Sequence, residues 1–214
     1  GGGRGYGPTH SQSLEAWFLH APGIQVVAPA TVWDAKCLMK TAIRDDNPTL
    51  FLEHKMLYKQ QGQVPSGDEA DEQNTLPPLG RARIAREGED MTIVAWSGMT
   101  VEAEKAAVEL EKSEVSAEVV DMRTLAPMDT ETVLASVRKT GCALIVQEAP
   151  CTGGVGAEIS ARISESIYEY LDTPIRRVAS PDVPFPASPV LEDKMIPDCN
   201  SIAQAAFDLM EEEL

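Results

Sequence analysis

Short apolar runs alternate with amphipathic segments along the second half of the chain, and this alternation restricts the possible folds more than any other feature. Four runs have the length and β-branched content of buried strands: 91–97, 117–123, 142–148 and 174–180. Segments with helical spacing follow them: 101–113, 129–139, the stretch from TGGVGAE to Leu171, and 201–213. This order predicts right-handed crossovers, and therefore a mainly parallel sheet with helices on both faces.

The first 60 residues carry the same kinds of element in shorter form. The pattern predicts a helix over 11–20, a strand over 24–29, a helix over 31–47 and a strand over 48–54. The text that follows is polar and acidic, contains Pro and Gly, and is longer than the usual connection of about 4 to 6 residues. We therefore predict an α/β protein with two units, 1–60 and 81–214, joined by a linker at 61–80.

The charge of the chain limits its partners. The 34 acidic and 18 basic residues give a formal net charge of −16, which argues against a surface for nucleic acid or anionic membranes. No apolar run approaches the roughly 20 residues that a bilayer crossing needs, and no signal peptide is visible. The acidity is compatible with a solvated surface or with a basic protein partner. The four cysteines never form C-x-x-C, which indicates reduced thiols in a cytoplasm-like compartment.

A dinucleotide site is the first function that a parallel sheet suggests. Asp121 stands at the end of the second predicted strand of the second half, where an acid that binds ribose would be expected. The turn after the first of these strands is SGMT, however, with one glycine instead of the three of G-x-G-x-x-G. The GGVG at 153–156 also lacks that spacing. Ordinary turns between strands and helices are therefore the favoured interpretation.

The segment TAIRDDNP, at 41–48, could hold a cation. A helix that ends before Pro48 leaves its last carbonyl groups without helical partners, and Asp45, Asp46 and Asn47 add side-chain oxygens nearby. Such oxygens at the negative end of a helix suit a large, weakly hydrated cation. A helix end that is satisfied by water has the same pattern, and the residues alone favour this second interpretation.

His10 is the strongest single candidate for catalysis. It follows a glycine-rich loop, GGGRGYGPT, and precedes the first predicted helix. An imidazole changes its protonation near neutral pH and therefore suits proton transfer. A histidine at the entry of a helix can instead hydrogen-bond the nearby backbone, so both roles are open at this point.

The stretches GPTHSQSLEAWF, AIRDDNP and LEHKMLY together resemble the beta subunit of the thiamine-diphosphate-dependent 2-oxo acid dehydrogenases, the family of the pyruvate, branched-chain and acetoin dehydrogenases. The resemblance continues through PLGRARIAREGEDMTIVAWSGM and SPDVPFPASPVLE and covers essentially the whole chain. It implies the C-terminal half of a pyrimidine-binding domain over 1–60. It also implies a transketolase C-terminal-like, three-layer α/β/α domain over 81–214. The upstream half of the first domain, with the acid that contacts the aminopyrimidine, is expected to be missing from this sequence.

The resemblance also implies an activity and site residues. The activity is the oxidative decarboxylation of a 2-oxo acid, followed by reductive acylation of lipoyl groups on an acyltransferase core. His10 matches the active-site histidine of the family, at the substrate and lipoyl end of the cofactor. A structural K⁺ ion is expected at Ala42, Ile43, Asp45 and Asn47, which reverses the preference that the residues alone gave.

The partners and cofactors follow from the same resemblance. Thiamine diphosphate would be shared with an alpha subunit that holds Mg²⁺, a second beta subunit would pair with this one, and a basic subunit-binding domain of the lipoyl acyltransferase would dock on them. The chain alone would be inactive, and it would work in the cytoplasm or the mitochondrial matrix. Two alternatives stay open: an enzyme like 1-deoxyxylulose-5-phosphate synthase or transketolase, and a non-catalytic module for dimerisation and docking. The choice among pyruvate, branched-chain 2-oxo acids and acetoin is open too.

Overall fold

Two β-sheets with their surrounding helices make up the protein. The computed structural model describes residues 1–64 and 76–212, and structural statements below refer to these residues. Its strands are β1 Gln25–Val27, β2 Thr49–Phe51, β3 Arg83–Arg86, β4 Met91–Ala95, β5 Ala117–Asp121, β6 Thr124–Ala126, β7 Ala143–Pro150 and β8 Arg176–Ser180. Its α-helices are α1 Glu15–Leu19, α2 Val32–Arg44, α3 Gly98–Glu111, α4 Thr130–Thr140, α5 Val155–Ile167, α6 Pro189–Glu192 and α7 Cys199–Met210. Short 3₁₀ helices lie at Gly7–Thr9, Lys55–Lys59 and Tyr168–Tyr170.

The larger sheet has five strands in the order β3-β5-β4-β7-β8. The pairs β4–β5, β4–β7 and β7–β8 are parallel, and β3 joins the edge antiparallel to β5. In β4, Ile93 packs into one apolar cluster with α3 and α7, while the next residue, Val94, packs into a second cluster with α4 and α5. Successive side chains of a strand point to opposite faces, so both faces are covered. The prediction of a three-layer α/β/α arrangement with a mainly parallel sheet is confirmed.

The smaller sheet has three strands in the order β2-β1-β6. Strand β1 is parallel to β2 and antiparallel to β6, which comes from the second half of the chain. Val26 and Ala28, on or beside β1, belong to the same apolar cluster as Val94 and Trp96 of the second half. The two sheets therefore share one core, and the first half packs directly on the second.

Side-chain caps mark the starts of helices α2, α4 and α7. The side chain of Thr31 accepts a hydrogen bond from the amide of Asp34 at the start of α2, and Asp129 caps α4 in the same way. Asp198 and Ser201 form a reciprocal capping box at α7. None of the helices in the described ranges is long and apolar enough to cross a bilayer.

Several boundaries differ from the prediction. The helix predicted over 11–20 begins only at Glu15, and the helix predicted to reach Leu171 ends at Ile167 and continues as a 3₁₀ turn. Strands β3 and β6 were not predicted, because each is short and shows too few alternating positions. Residues 65–75 of the predicted linker lie outside the described residues.

Candidate active site

The glycine-rich loop before α1 carries His10 on the surface of the protein. Gly3, Gly5 and Gly7 have φ angles of +87°, +67° and +70°, a region that side chains with a Cβ rarely adopt. A Cβ on Gly5 would also lie 2.8 Å from Cγ of Pro189. These glycines therefore allow a left-handed backbone and a close approach to the second half.

His10 ends the 3₁₀ helix of this loop and is exposed. Its amide donates a hydrogen bond to the carbonyl of Gly7 at 3.3 Å. Its ring meets the ring of Tyr6 edge-on, with the centroids 6.5 Å apart. Nζ of Lys55 lies 3.5 Å from the His10 carbonyl oxygen and 5.5 Å from the centroid of the Tyr6 ring. The imidazole is thus packed against Tyr6 on one side and is open to solvent on the other.

The carboxylate of Glu148, near the end of β7, lies beneath this loop and is only 6% exposed. Its Oε1 accepts hydrogen bonds from the amide of Gly2 at 2.7 Å and from the hydroxyl of Ser13 at 2.8 Å. Its Oε2 lies 2.6 Å from Nε2 of His54. Burial is the largest influence on the pKa of the Glu148 carboxyl and raises it, but the hydrogen bond and the charge interaction with His54, the positive charge of the Gly1 ammonium and the hydrogen bond from the Gly2 amide together bring this pKa down to about 2. Glu148 is therefore ionised at neutral pH.

A cavity of about 220 Å³ opens beside this cluster, between the two halves of the chain. Ser13, Glu15, His54, Trp96 and Glu148 are among the residues that line it. The cavity thus brings together polar groups from the loop, from the end of β2 and from the larger sheet. His10 is not among its lining residues.

Glu15 is the second carboxyl group of the cavity. Its Oε1 accepts a hydrogen bond from Nε1 of Trp96 at 3.1 Å. Burial raises the pKa of Glu15, and the charge of Glu148 raises it further, against the lowering effect of its hydrogen bonds to its own backbone amide and to Trp96. One cavity therefore contains two carboxyl groups with opposite pKa shifts, an arrangement that is typical of sites that handle protons.

The predicted cation segment lies at the end of α2. The amide of Asp45 donates to the carbonyl of Thr41, so the carbonyls of Ala42 and Ile43 lie beyond this hydrogen bond. The backbone amide and the side-chain NH₂ of Asn47 each donate to Oδ1 of Asp45 at 2.8 Å, and these bonds lower the pKa of the Asp45 carboxyl. Across the described ranges, no group of three or more His, Cys, Asp or Glu side chains is placed to hold a metal ion. A cation here would therefore depend on backbone and amide oxygens.

The structure explains the two features that suggested a nucleotide site. The amide of Gly156, in the first turn of α5, donates to Oε1 of Gln147 at 2.7 Å. A Cβ on Gly154 would lie 2.0 Å from Nε2 of the same side chain, so the glycine-rich turn is filled by Gln147. Asp121 is fully buried and bound to Nη2 of Arg83 at 3.1 Å. Neither feature is available to a nucleotide.

Sequence reasoning missed Glu15, His54 and Glu148. Each lies in a stretch whose pattern only indicates helix or strand, and no spacing connects them. Glu148 is 94 residues from His54 and 135 from Ser13, and only the folded chain brings them together. The side chains of Trp96 and Ser13 likewise gave no local signal.

Family models match both halves of the chain. Residues 80–202 match the model described as the transketolase C-terminal domain, and residues 1–61 match the transketolase pyrimidine binding domain. The mitochondrial pyruvate dehydrogenase E1 component subunit beta-2 of Oryza sativa is 41% identical over 206 residues, which are 96% of this chain and 54% of the relative. The mitochondrial 2-oxoisovalerate dehydrogenase subunit beta 2 of Arabidopsis thaliana is 44% identical over 199 residues, 93% of this chain and 54% of the relative.

A solved structure also shares the fold. A split gene transketolase, described as an inactive beta4 tetramer, superposes with a TM-score of 0.75 at 24% identity and covers 100% of this chain and 65% of the other. At this identity the similarity concerns the fold alone. The chain spans about half the length of the two dehydrogenase subunits that it matches.

Proposed function

Because the chain belongs to the transketolase C-terminal domain family and is similar to beta subunits of pyruvate and 2-oxoisovalerate dehydrogenases, we propose that it serves as the beta subunit of the decarboxylating component of a 2-oxo acid dehydrogenase complex. The proposed reaction is the oxidative decarboxylation of a 2-oxo acid with reductive acylation of a lipoyl group. The observation that carries the proposal is the match to these beta subunits over 96% and 93% of the chain. The loop of His10 lies within residues 1–61, which match the transketolase pyrimidine binding domain.

His10 is the proposed catalytic residue. When bound, thiamine diphosphate supplies the carbon nucleophile and the electron sink for the loss of carbon dioxide. An imidazole nitrogen of His10 would move a proton to or from the acyl acceptor, because the ring is exposed and an imidazole can both donate and accept a proton. The edge-on contact with Tyr6 limits the orientations of the ring.

The cofactor is proposed to be shared between two chains. The glycine-rich turn before α5 is filled by the side chain of Gln147, so it offers no cradle for a diphosphate. In line with the resemblance to the dehydrogenase beta subunits, the proposal assigns the diphosphate and Mg²⁺ to the alpha subunit, and the side of the cofactor that faces the acyl acceptor to the loop of His10.

A structural K⁺ ion is proposed at the end of α2, held by backbone or side-chain oxygens of Ala42, Ile43, Asp45 and Asn47. The carbonyls that lie beyond the hydrogen bond from Asp45 to Thr41 support it. Replacing K⁺ by Na⁺ should lower the melting temperature of the protein, and equal melting temperatures in the two salts would count against the site. The comparison at equal ionic strength removes the general effect of salt.

The proposed partners are the alpha subunit, a second beta subunit and the basic subunit-binding domain of a lipoyl acyltransferase. The net charge of −16 supports the last of these, because an acidic surface steers a basic partner. In this setting the protein would work in the cytoplasm or the mitochondrial matrix.

Reconstitution tests the proposal. The protein would be assembled with its alpha-type partner, thiamine diphosphate and Mg²⁺, and lipoyl acylation would be measured with pyruvate, branched-chain 2-oxo acids and acetoin. We expect His10→Ala to lower acylation by about 100-fold or more. His20→Ala, which removes another exposed histidine just after α1, is the matched control and should retain activity. Unchanged acylation by His10→Ala would contradict the catalytic role and favour a docking module, and transfer of two-carbon units between sugar phosphates would favour a transketolase-like enzyme.

A further inference from the structure

The loop that carries His10 depends on the second half of the chain for its shape. Residues 1–14 contain neither an α-helix nor a strand. The backbone bonds within the loop run from the amides of His10 and Ser11 to the carbonyl of Gly7, and they fix one turn only. Positions 2, 5 and 13 are instead held by side chains that are more than 130 residues away. Near His10 itself, the side chain of Gln12 donates to the carbonyl of Pro8 at 2.7 Å, and Nζ of Lys55 donates to the carbonyl of His10 at 3.5 Å. The two ends and the middle of the loop therefore depend on long-range contacts with the second half.

Glu148 binds both ends of this loop. Gly2 precedes His10 and Ser13 follows it, and both donate to the same oxygen, Oε1. Glu148 belongs to β7, which lies between β4 and β8 in the larger sheet. The β7–β8 register shifts between Val146 and Pro150, and Glu148 lies in this irregular stretch. The carboxylate thus extends from a buried strand of the larger sheet to the loop.

His54 orients this carboxylate. Nδ1 of His54 accepts a hydrogen bond from the amide of Met56 at 3.3 Å, so Nε2 is the nitrogen whose proton faces Glu148. Nε2 therefore donates to Oε2 of Glu148. With Gly2 and Ser13 on the other oxygen, the carboxylate accepts from three donors, two at the ends of the loop and one that follows β2.

Glu192 provides a second contact between the loop and the second half. Its Oε2 accepts a hydrogen bond from the amide of Gly5, and the residue is 0% exposed. Its other oxygen has no hydrogen-bond partner within the described part of the chain. Glu192 thus holds the middle of the loop with one bond, whereas Glu148 holds its two ends with two.

We propose that Glu148, oriented by His54, is a positioning residue that holds the loop of His10 in place for proton transfer, with Glu192 as a second anchor. The part that concerns catalysis rests on the proposed function of His10. The part that concerns the loop rests only on the contacts described above.

Replacement of Glu by Gln separates the two anchors. Both oxygens of Glu148 accept hydrogen bonds. A glutamine side chain has only one oxygen, so its NH₂ group would face either the donors of Gly2 and Ser13 or that of His54. Glu192 needs one acceptor, which a glutamine oxygen can supply. Glu148→Gln should therefore free the loop, and Glu192→Gln should disturb it less. Glu165→Gln removes the same charge from an exposed position of α5 and serves as the control.

The experiment measures loop order and activity in the reconstituted complex. Amide hydrogen exchange over residues 3–13 should accelerate by about 10-fold or more in Glu148→Gln, because the opening of the loop loses its restraints. The kcat for lipoyl acylation should fall by about 10- to 100-fold while the KM for the 2-oxo acid stays within about 3-fold, since a misplaced catalytic group slows the chemical step. Glu192→Gln should lose only about 2- to 5-fold in kcat, and Glu165→Gln should resemble the wild type in both measurements.

The two measurements separate the possible failures. If exchange over residues 3–13 is unchanged in Glu148→Gln, the anchoring is wrong, whatever the activity does. If exchange accelerates but acylation is as fast as in the wild type, the loop is anchored as proposed and its position does not serve catalysis, which overturns the positioning role. A wild-type complex without acylation activity would contradict the proposed function, while the exchange data would still decide on the anchoring.

Discussion

Two clusters of buried carboxylates join residues 1–64 to the second part of the chain, and burial has opposite outcomes in them. At the loop of His10, Glu148 accepts from three donors, and its pKa lies at about 2. Beside α2, burial raises the pKa of Asp121; Arg83 opposes this rise and Asp34 adds to it, so that the pKa reaches about 6. Both groups are buried acids, yet Glu148 is fully ionised at neutral pH, whereas the pKa of Asp121 lies close to neutral pH.

The difference lies in the neighbouring charges, because Asp121 also accepts three hydrogen bonds, from Nη2 of Arg83, Oγ1 of Thr100 and the amide of Arg123. Arg83 lies 3.1 Å from Asp121 and 3.9 Å from Asp34, and Arg123 lies 3.4 Å from Asp34, so these arginines also face a second carboxylate. The charge of Asp34 raises the pKa of Asp121 further, whereas His54 lowers the pKa of Glu148. The neighbouring carboxylate therefore leaves burial less opposed at Asp121 than at Glu148.

The largest expected effect concerns Glu148 itself. Glu148→Ala leaves three donors without an acceptor and should lower the free energy of unfolding by about 3 to 5 kcal/mol at pH 7. Urea denaturation measures this quantity, with Glu165→Ala as the exposed control. A loss below about 1 kcal/mol would show that the contacts of Glu148 contribute little to stability.

The ionisation of Glu148 can be tested in acid. A carboxyl group with a lowered pKa stabilises the fold above its unfolded pKa of 4.5, and this contribution is lost as the pH falls toward 2. Between pH 5 and pH 3, the wild type should therefore lose about 2 kcal/mol more than Glu148→Gln. Parallel stability curves for the two proteins would contradict the lowered pKa.

The ionisation of Asp121 should change the stability of the fold in the opposite direction, and in another pH range. Its pKa is raised from 3.8 to about 6, so its contribution to stability is fully present below 3.8 and is lost as the pH rises through 6. From pH 5 to pH 7, the wild type should lose about 1 kcal/mol relative to Asp121→Asn. Glu148 does not titrate in this range, so a pH-independent difference between the two proteins would refute the contrast between the clusters.

The smallest expected effect concerns Trp96. Trp96→Phe removes the hydrogen bond from Nε1 to Glu15 but keeps an aromatic ring, and it should cost about 1 kcal/mol or less. Because that bond opposes the rise caused by burial, the pKa of Glu15 should rise further. NMR titration of the Glu15 carboxyl carbon measures the pKa, and a fall would show that the bond does not favour the ionised form.

The sequence predicts the parts of this protein that depend on local pattern. Apolar runs predict the buried strands β4, β5 and β7. The resemblance of the first loop to the dehydrogenase beta subunits indicates His10 as the candidate catalytic residue. Periodicity contains no information on contacts between distant segments, however. It therefore misses the pairing of β6 with β1 and the contacts of Glu148 with Gly2 and Ser13. The position of Asp121 at the end of a strand suggests only a ribose-binding acid, because its partner Arg83 lies 38 residues away in the sequence.

A double-mutant cycle tests whether Glu148 acts through His10. Lipoyl acylation would be measured in the reconstituted complex for the wild type, His10→Ala, Glu148→Gln and the double variant. If Glu148 acts through His10, adding Glu148→Gln to His10→Ala should change kcat by less than about 2-fold, although it lowers the wild-type kcat by about 10-fold or more. Equal losses in both backgrounds would show that Glu148 acts independently of His10 and would contradict the central claim.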